Sequence, residues 1–383
     1  MTRVLVIGSG VDDKYIGNCL RACKKISPDI HFDFIASHGD GNSPFRKEVG
    51  EFVSVKKYYP PVCYKIPKLR GFCNQHDLVK TIREYADRCK RQGVKYTACQ
   101  IHALNPFYAK VVDDLKCIAG RLIISPWGSD ILRAHSHAIP NLRKLAAKSD
   151  VITCPKGIRF ENDIIDILHA PADKLYDLAL GVIAIDEILK REAVTIEQAK
   201  HSLGVEGRYT IVMGYNANPG HNHLKVIESL ASVRGQLPTN FIVLLPLTYG
   251  GSPAYKTEIE ALLKSYDMPY KLFLQYMSDA EVVNLRKATD LFIHAQQTDA
   301  NSGTIAEYLL CRKKIINPSW ITYPHYEMFG SPFYSFSNFN ELPQVVVTAV
   351  CDTASRVSTR LADDIALAGW SHKAEDWVKL YKK

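Results

Sequence analysis

Two acidic residues lie eight positions apart around a Ser-Gly-Thr turn in the segment TDANSGTIAEYLL, residues 298–310. Asp299 precedes the turn, Glu307 follows it, and the apolar run DLFIHA at 290–295 precedes both. This order predicts a strand, a polar loop and a helix that begins at the turn, residues 302–304. The backbone N–H groups that open a helix are unpaired and lie at the positive end of its dipole. The segment therefore predicts an anion-binding site.

The turn and the two acids suit different parts of one ligand. Gly303 has no side chain to block the approach of a phosphate, while Ser302 and Thr304 supply hydroxyl groups. Carboxylates repel phosphate, but they accept hydrogen bonds from neighbouring sugar hydroxyls. A molecule with a sugar, a diphosphate and a ribose in that order would satisfy all three parts. The alternative is that Asp299 is an ordinary loop residue and that Glu307 pairs with a nearby lysine or arginine.

Short apolar runs alternate with amphipathic stretches along the whole chain. The runs that predict strands are 3–8, 31–37, 96–104, 121–127 and 151–155 in the first half, and 208–216, 239–247, 270–277, 290–295 and 313–318 in the second half. Strands that alternate with helices indicate right-handed crossovers and parallel sheets covered on both faces. A charged helical stretch at 185–205 separates the two series and is the predicted linker region. The predicted fold class is therefore α/β, with two Rossmann-like domains in tandem.

Ligands of open parallel sheets bind outside the carboxyl ends of the strands, so the loops that follow strands are the candidate sites. Two such domains that face each other would place these loops around one interdomain cleft. In the second half, the Gly- and Asn-rich loop MGYNANPGHNHLK offers backbone and side-chain donors to an anion. The candidate donor-binding residues at the strand ends of this half are Asn216, His221, His223, Lys225, Thr248, Tyr249 and Gln275.

The first strand of the chain is followed by a glycine turn that contains Gly8 and Gly10. A dinucleotide fingerprint would need a third glycine at position 13, where this chain has Asp13, and the second strand ends without an acid for a ribose. We therefore predict a tight turn that lines the cleft, in which Gly8 and Gly10 allow close backbone approach.

The segment SPWGSDILR follows a buried strand of the first half and places Asp130 in a turn. This carboxylate could act as a general base or hold an acceptor hydroxyl, and it could equally cap the next helix. His102, at the end of the preceding strand, is the second catalytic candidate. Metal binding by His135 and His137 is disfavoured, because residues two apart on a helix point in different directions.

The composition narrows the class of protein. No stretch reaches the roughly 18 uninterrupted apolar residues of a membrane span, and the start MTRVLVIGSG lacks the features of a secretory signal. We expect a cytoplasmic protein. The formal charge is +8, and residues 56–72 interleave lysines and arginine with aromatic residues. This pattern suits an anionic membrane surface at the inner face of the membrane; a solvated basic loop is the alternative. Nucleic acid is disfavoured, because no nucleic-acid-binding motif accompanies the patch.

The pattern from Asp299 to Glu307 resembles the E-x7-E pattern of the GT-B glycosyltransferases, in particular the family-4 group of retaining enzymes. The similarity extends to WGSD in the first half and to LALGVIAID before the second series. The chain is also similar to the bacterial 4-acetamido-4,6-dideoxygalactose transferases in GYNANPGHNH, LPLTYGGSPAY and SGTIAEYL. These two families differ in stereochemical outcome, so retention and inversion both stay open.

The resemblance implies a metal-independent glycosyltransferase without a cofactor. Such an enzyme moves a sugar from a nucleotide-diphosphate donor to a hydroxyl of a lipid-linked or cell-surface glycan. By analogy Glu307 would hold the ribose, Asp299 the donor sugar, and Gly303, Thr304 and Lys225 the diphosphate. Asn216 or a neighbour stands where family-4 enzymes place an arginine, so diphosphate binding would depend more on helix N–H groups and histidines. The alternatives are a sugar-nucleotide epimerase and a non-catalytic sugar-nucleotide or glycan-binding partner of a synthase.

The resemblance also implies a division of the chain. Residues 1–190 would form the acceptor-side domain, residues 206–365 the nucleotide-sugar-binding domain, and residues 366–383 a helix that crosses back to the first domain. That last segment is amphipathic, with Trp370 and Trp377 on one face. A helix that lies on a membrane is the alternative for it.

Overall fold

The computed structural model describes residues 1–38 and 43–383 of the chain. This part divides into two compact units, which we call the first unit, residues 1–181 with 370–383, and the second unit, residues 182–369. Each unit is built on one parallel sheet with helices between successive strands. The predicted α/β class with two parallel sheets is confirmed.

The first unit contains a seven-stranded sheet in the order β3-β2-β1-β4-β5-β6-β7. Strand β1, in the interior of this sheet, contains a run of apolar, mostly β-branched residues, and Val4 to Ile7 are fully buried, as expected for a strand covered on both faces. The strands are β1 Thr2–Ser9, β2 Ile30–His38, β3 Phe52–Ser54, β4 Tyr96–His102, β5 Ala119–Ser125, β6 Val151–Thr153 and β7 Leu175–Tyr176. The helices are α1 Asn18–Ile26, α2 Pro61–Lys65, α3 Pro67–Arg91, α4 Val112–Ile118, α5 Ser129–Leu132, α6 Ile139–Lys148 and α7 Arg159–Leu168.

The second unit contains a six-stranded sheet in the order β10-β9-β8-β11-β12-β13. Its strands are β8 Tyr209–Met213, β9 Phe241–Pro246, β10 Tyr270–Phe273, β11 Leu291–Ile293, β12 Lys314–Pro318 and β13 Phe333–Phe336. Its helices are α8 Ile183–Lys190, α9 Ile196–Ser202, α10 His223–Ser232, α11 Pro253–Ser265, α12 Asp279–Ala288, α13 Gly303–Leu310, α14 Pro324–Glu327, α15 Leu342–Cys351 and α16 Thr359–Ala366.

The segment expected to link the two strand series belongs to the second unit instead. It forms α8 and α9, and Ile185 and Ala199 from these helices are fully buried in the core of that unit. The reason is that the charged residues of the segment occupy one face of each helix, while the apolar residues at helical spacing face the sheet. The chain therefore has no extended spacer at this point.

The last helix, α17 (Trp370–Lys382), packs on α1, β1 and β4 of the first unit. Trp377 is fully buried, and its Nε1 donates a hydrogen bond to the carbonyl of Ala179 at 2.9 Å. The hydroxyl of Tyr381 donates to Gln100 Oε1 on β4. The helix therefore returns to the first unit, as predicted. Its apolar face is occupied by protein, which argues against the alternative of a helix that lies on a membrane.

Candidate functional site

The candidate site lies at the carboxyl ends of β8 and β11. These neighbouring strands pair in parallel and end level, with Met213 opposite Ile293. The strand order reverses between them, because the chain runs from β8 outward to β10 and then returns to β11. In open parallel sheets such a reversal leaves a crevice at the carboxyl edge, where ligands bind.

The loops that follow β8 and β11 are tied to each other by hydrogen bonds. Asn222 Nδ2 donates to the carbonyl of Ala295 at 2.7 Å, and the N–H of Gln297 donates to the carbonyl of Gly220 at 3.1 Å. Gln296 Nε2 donates to the hydroxyl of Tyr215 at 2.5 Å. These contacts order the rim of the crevice.

Helix α13 begins at Gly303, where the sequence predicts a helix start. The carbonyl of Ser302 accepts the N–H groups of Ile305 and Ala306, and the side chain of Ser302 makes no capping hydrogen bond. Residues 302–304 are half-buried. The positive end of the dipole and the N–H groups of Gly303 and Thr304 therefore lie at a helix end that its N-cap side chain does not neutralise. A Cβ on Gly303 would lie 3.3 Å from Val182 Cγ1, so this glycine also permits close packing with the segment before α8.

Glu307, one turn into α13, forms a buried ion pair. Its Oε2 accepts a hydrogen bond from Arg286 Nε at 2.7 Å, and both side chains are 7% exposed. Arg286 also donates to the hydroxyl of Tyr308 at 3.0 Å. Glu307 Oε1 lies 3.8 Å from the position that a Cβ on Gly303 would occupy. The arginine pairing that the sequence left open is thus the contact observed, and a ribose contact remains available only to Oε1.

Asp299 is held on the other side of the helix start. Its Oδ2 accepts a hydrogen bond from the hydroxyl of Tyr323 at 2.7 Å and lies 3.5 Å from His294 Nε2. The Asp299 side chain is 8% exposed, so it is not an ordinary solvent-facing loop residue. Burial and the charge of Asp299 raise the pKa of Tyr323, which keeps this phenol protonated and able to donate.

The loop after β8 brings Asn216 and two histidines to the same edge. Asn216 is buried, and its Oδ1 accepts the N–H of Asn218 at 2.8 Å, which shapes the loop. His221 packs against Tyr215 with ring centroids 4.3 Å apart. His223 opens α10, and burial lowers its pKa to about 4. At neutral pH His223 therefore offers an anion a hydrogen-bonding imidazole but no positive charge.

Other predicted donor-binding residues lie further out. Lys225 is exposed, and its ammonium sits 4.9 Å from the ring centroid of Phe339. Thr248 is half-buried, while Tyr249 and Gln275 are exposed in the loops after β9 and β10. The carbonyl of Tyr249 accepts the N–H of Ala217 at 2.7 Å, so the loop after β9 is joined to the loop after β8. The side chains of Lys225 and Gln275 have no such connection among the described residues.

In the first unit the predicted catalytic carboxylate braces the backbone. Asp130 Oδ2 accepts the N–H of Leu104 at 2.6 Å, and Asp130 Oδ1 accepts the N–H of Trp127 at 3.0 Å. Burial raises the pKa of Asp130, although these backbone hydrogen bonds act in the opposite direction. The structural role is thus the one observed, and a role toward an acceptor stays a prediction.

His102 ends β4 and is fully enclosed. Its ring centroid lies 6.0 Å from that of Trp127 and 6.2 Å from that of Trp377. Neither ring nitrogen has a hydrogen-bond partner in the described part of the chain, and burial lowers the pKa of His102 to about 3. An imidazole of such low basicity that is shielded from solvent is a poor general base, so this environment argues against the predicted catalytic role.

The two glycines after β1 also serve packing. A Cβ on Gly8 would lie 2.5 Å from Ile16 Cδ1, and a Cβ on Gly10 would lie 3.0 Å from Ala36 Cβ. The N–H of Gly10 donates to the carbonyl of His38 at 2.7 Å. Close approach is therefore required here, as predicted, but the partners observed are the protein's own residues.

The basic, aromatic segment at 56–72 forms α2 and the first turns of α3. Three of its cations, at positions 65, 68 and 70, are exposed and form no ion pair among the described residues. Four large apolar side chains on these two helices and at the junction between them are also exposed, by 43% to 59%: Val62, Ile66, Leu69 and Phe72. We call this set the α2–α3 surface. No helix in the described ranges is long and apolar enough to cross a membrane.

The site includes residues that the sequence analysis does not identify. Arg286 comes from α12, Tyr323 from the loop before α14, and His294 directly follows β11. His294 lies inside the apolar run that predicts β11, and a polar residue at the end of such a run was a usable signal. Arg286 and Tyr323 lie more than 20 residues from their partners along the chain and carry no local signal.

Comparison of folds gives full-length matches. Sucrose-phosphate synthase from Thermosynechococcus elongatus matches with a TM-score of 0.72 at 13% identity, over 100% of this chain and 98% of that chain. HepE from Anabaena in complex with UDP matches with a TM-score of 0.69 at 15% identity, over 100% of both chains. A glycosyltransferase from Rickettsia africae matches with a TM-score of 0.68 at 13% identity, over 100% and 98%.

The fold is therefore that of the GT-B glycosyltransferases. No protein-family model matches the chain. No curated protein matches it in sequence.

Proposed function

We propose that this chain is a glycosyltransferase that transfers a sugar from a nucleoside-diphosphate donor to an acceptor hydroxyl. The observation that carries the proposal is the start of α13 at the crevice between β8 and β11, which the Ser302 side chain does not cap, with Asp299 held in the loop before it. The fold is shared with proteins of this chemistry, including HepE, which has been solved with UDP and with UDP-glucose. A donor diphosphate would bind the N–H groups of Gly303 and Thr304.

The chemistry requires stabilisation of a departing diphosphate. Backbone N–H groups and the dipole of α13 would stabilise the negative charge that develops on it as the sugar leaves. We propose that these groups act without a divalent cation. Activity that persists in excess EDTA is the expected result, and its abolition by EDTA with recovery on adding Mg²⁺ would overturn the metal-free mechanism.

The proposed residue roles follow the geometry. Asp299 would hold a hydroxyl of the donor sugar, and Glu307 would reach the ribose with Oε1 while Oε2 remains on Arg286. Ser302 would flank the diphosphate. Lys225 would contribute only after its ammonium leaves the ring of Phe339.

The remaining residues are assigned more broadly. The rim around the nucleotide would be formed by residues of the loops after β8, β9 and β10, namely Asn216, Thr248, Tyr249 and Gln275. We place the acceptor on the first unit, near Gly8, Gly10 and Asp130. Similarity to the 4-acetamido-4,6-dideoxygalactose transferases remains part of the proposal.

We further propose that the acceptor is a lipid-linked or cell-surface glycan and that the protein binds the membrane peripherally. The support is the α2–α3 surface, where apolar side chains and cations without ion pairs occur together. Exposed apolar side chains gain free energy by entering the interfacial region, while lysine and arginine attract anionic headgroups. An enzyme held at the surface in this way would meet an acceptor that is itself anchored in the lipid.

A thermal-shift screen with UDP, GDP and dTDP tests the donor site directly, because a ligand that binds the native state raises the melting temperature. We expect one nucleotide to stabilise the second unit, and the effect to be lost in Gly303→Val. The matched control is Gly235→Val, at a glycine whose Cβ position has no atom within 4 Å. Stabilisation that survives Gly303→Val would place the nucleotide elsewhere.

Product analysis then separates the possible reactions. Incubation with the bound sugar nucleotide and extracted membrane lipids should yield a glycosylated lipid together with free nucleoside diphosphate. Conversion of the sugar nucleotide without any acceptor would indicate an epimerase. Binding without any product would indicate a non-catalytic partner of a synthase.

A further inference from the structure

His294, Asp299, Asn317 and Tyr323 form a buried polar cluster beside the start of α13. His294 is fully buried, with Nδ1 2.8 Å from Asn317 Oδ1 and Nε2 3.5 Å from Asp299 Oδ2. Tyr323 donates its hydroxyl hydrogen to the same Asp299 oxygen at 2.7 Å. The cluster therefore links β11 and β12 to the loop that precedes α13.

The hydrogen bonds of Asn317 determine the tautomer of His294. Asn317 Nδ2 donates to the carbonyl of Pro318 at 3.1 Å and to the carbonyl of Ile321 at 2.7 Å. Both amide hydrogens are thus used, so Asn317 Oδ1 must be an acceptor and His294 Nδ1 must carry a hydrogen. In the neutral imidazole, Nε2 then carries a lone pair and no hydrogen.

That lone pair faces a carboxylate. Within the described part of the chain, His294 Nε2 has no hydrogen-bond partner, although it lies 3.5 Å from Asp299 Oδ2. Two acceptors that face each other repel, whereas a proton on Nε2 would turn the contact into a charge-assisted one. Burial lowers the pKa of His294, while the charge of Asp299 acts in the opposite direction. Burial prevails, so the imidazole is neutral at neutral pH.

Six further ionisable groups of the second unit are neutral at neutral pH or paired with each other. Burial raises the pKa of the phenols and lowers that of His325 to about 4, so these groups carry no charge at neutral pH. The buried ion pair between α12 and α13 is compensated within itself. The groups concerned are Tyr215, Tyr323, His325 and Tyr326, together with Arg286 and Glu307. Asp299 is a carboxylate in direct contact with His294, and the protonation of the imidazole is sensitive to any further negative charge.

We propose that His294 Nε2 is the proton-uptake site of the donor pocket, an inference that rests on the proposed function. A nucleoside diphosphate at the start of α13 brings negative charge beside Asp299, which lies four residues before Gly303. A proton from solvent then bonds to Nε2 and is shared with Asp299 Oδ2. This charge also holds the carboxylate in place while it binds the donor sugar, which makes His294 a positioning residue.

The proposal predicts how donor binding depends on pH. The bound state holds one proton more than the free state, so donor affinity is highest at low pH. The affinity falls by up to about tenfold per pH unit as pH rises from the pKa of His294 in the free state to its higher pKa in the bound state.

Titration calorimetry measures this proton directly. UDP-glucose, GDP-glucose and dTDP-glucose are the probes, because their diphosphates are esterified at both ends and do not titrate near neutral pH. Binding to the full chain in two buffers of different ionisation enthalpy should show uptake of about one proton in the wild type, and far less in His294→Gln. His325→Gln is the matched control and should retain the uptake. Binding of a probe without proton uptake, or with equal uptake in His294→Gln, overturns the proposal.

A second measurement needs no ligand and separates failure of this proposal from failure of the proposed function. In the ¹⁵N-histidine-labelled chain, the His294 signals are identified by their loss in His294→Gln. We expect a hydrogen on Nδ1 and none on Nε2 near neutral pH. The Nε2 titration should move to lower pH by about one unit in Asp299→Asn. A hydrogen on Nε2 in the free chain, or a titration that ignores Asp299→Asn, contradicts the proposal even if all three sugar nucleotides bind.

Discussion

The two sheets share a central strand order, yet their carboxyl edges are used differently. In the first unit, the polar and glycine residues at the carboxyl edge of the sheet contact other residues of the protein. Asp130 accepts backbone N–H groups, Gly10 packs on β2, and His102 is enclosed by tryptophans. In the second unit, the loops at the equivalent edge between β8 and β11 are joined by hydrogen bonds. Helix α13 begins there without a cap from the Ser302 side chain, and Asp299 lies in the loop before it. The same strand order therefore gives a crevice in each unit, and the residues of the loops determine which crevice can bind a charged ligand.

The largest expected effect concerns the ion pair behind the helix start of the second unit. Arg286→Ala leaves the Glu307 carboxylate buried without its cation, and we expect the free energy of unfolding to fall by about 3–5 kcal/mol. The matched control is Arg234→Ala, whose partner Asp267 is 95% exposed, where the loss should stay below about 1 kcal/mol. Urea unfolding of the two variants measures both, and equal losses would show that burial of the pair has no energetic consequence.

The next effect distinguishes the first unit by its acid sensitivity. The pKa of His102 is lowered from 6.5 to about 3 in the native state. As the pH falls, His102 is therefore protonated in the unfolded state before it is protonated in the native state. The stability due to neutral His102 is complete above pH 6.5. Below it the loss is about 1.4 kcal/mol per pH unit, which amounts to about 2–3 kcal/mol at about pH 4.5. His102→Leu should flatten this dependence in unfolding measured at several pH values. The exposed His201→Gln should leave it unchanged, and a slope that persists in His102→Leu would contradict the assignment.

A pair of glycine substitutions should separate packing from ligand binding. In Gly10→Ala the new methyl group would lie 3.0 Å from Ala36 Cβ and 3.1 Å from the carbonyl oxygen of His38, so we expect a loss of about 1–3 kcal/mol of stability and unchanged nucleotide binding. In Gly303→Ala the contact with Val182 is 3.3 Å, and we expect a smaller loss of stability with donor binding weakened about tenfold. Thermal unfolding and nucleotide titration on both variants test this, and the reverse pattern would exchange the two roles.

The smallest expected effect concerns the membrane. Phe72→Ser removes one of the exposed apolar side chains of the α2–α3 surface and should weaken binding to anionic vesicles about five- to tenfold, since only part of the ring leaves water. Vesicle co-sedimentation at low and high salt measures this, and high salt should release the wild type. Tyr276→Ser, at an exposed aromatic residue of the second unit, is the control. If vesicle binding changes neither with salt concentration nor in Phe72→Ser, the α2–α3 surface is not the membrane-binding site.

The sequence predicts those features whose signals are local. The start of α13 and the strand before it follow from a pattern within 20 residues, and the alternation of strands and helices predicts both sheets. Strands β3, β7 and β13 are not predicted; they are short and lie at the edges of their sheets. The burial of His102 could not be predicted either, since it depends on Trp377 from the far end of the chain.

The choice between alternatives depends on distant partners. Whether Glu307 faces a ribose or an arginine depends on Arg286, and whether Asp130 is a base or a brace depends on the N–H of Leu104. The hydrogen that Asp299 accepts comes from Tyr323, which lies 24 residues later. Such pairings depend on the tertiary fold, so they cannot be predicted from the spacing of residues within the segment.

Because α17 completes the first unit after the chain has built the second, the second unit is an insert within the first. Its own ends meet: the N–H of Val182 donates to the carbonyl of Ala368 at 2.9 Å. Residues 182–369 can therefore be excised as a segment whose termini already lie together, while a chain that stops at residue 369 lacks a buried helix of the first unit. Ribosomal synthesis must also deliver residues 370–383, which follow the second unit, before the first unit can finish folding.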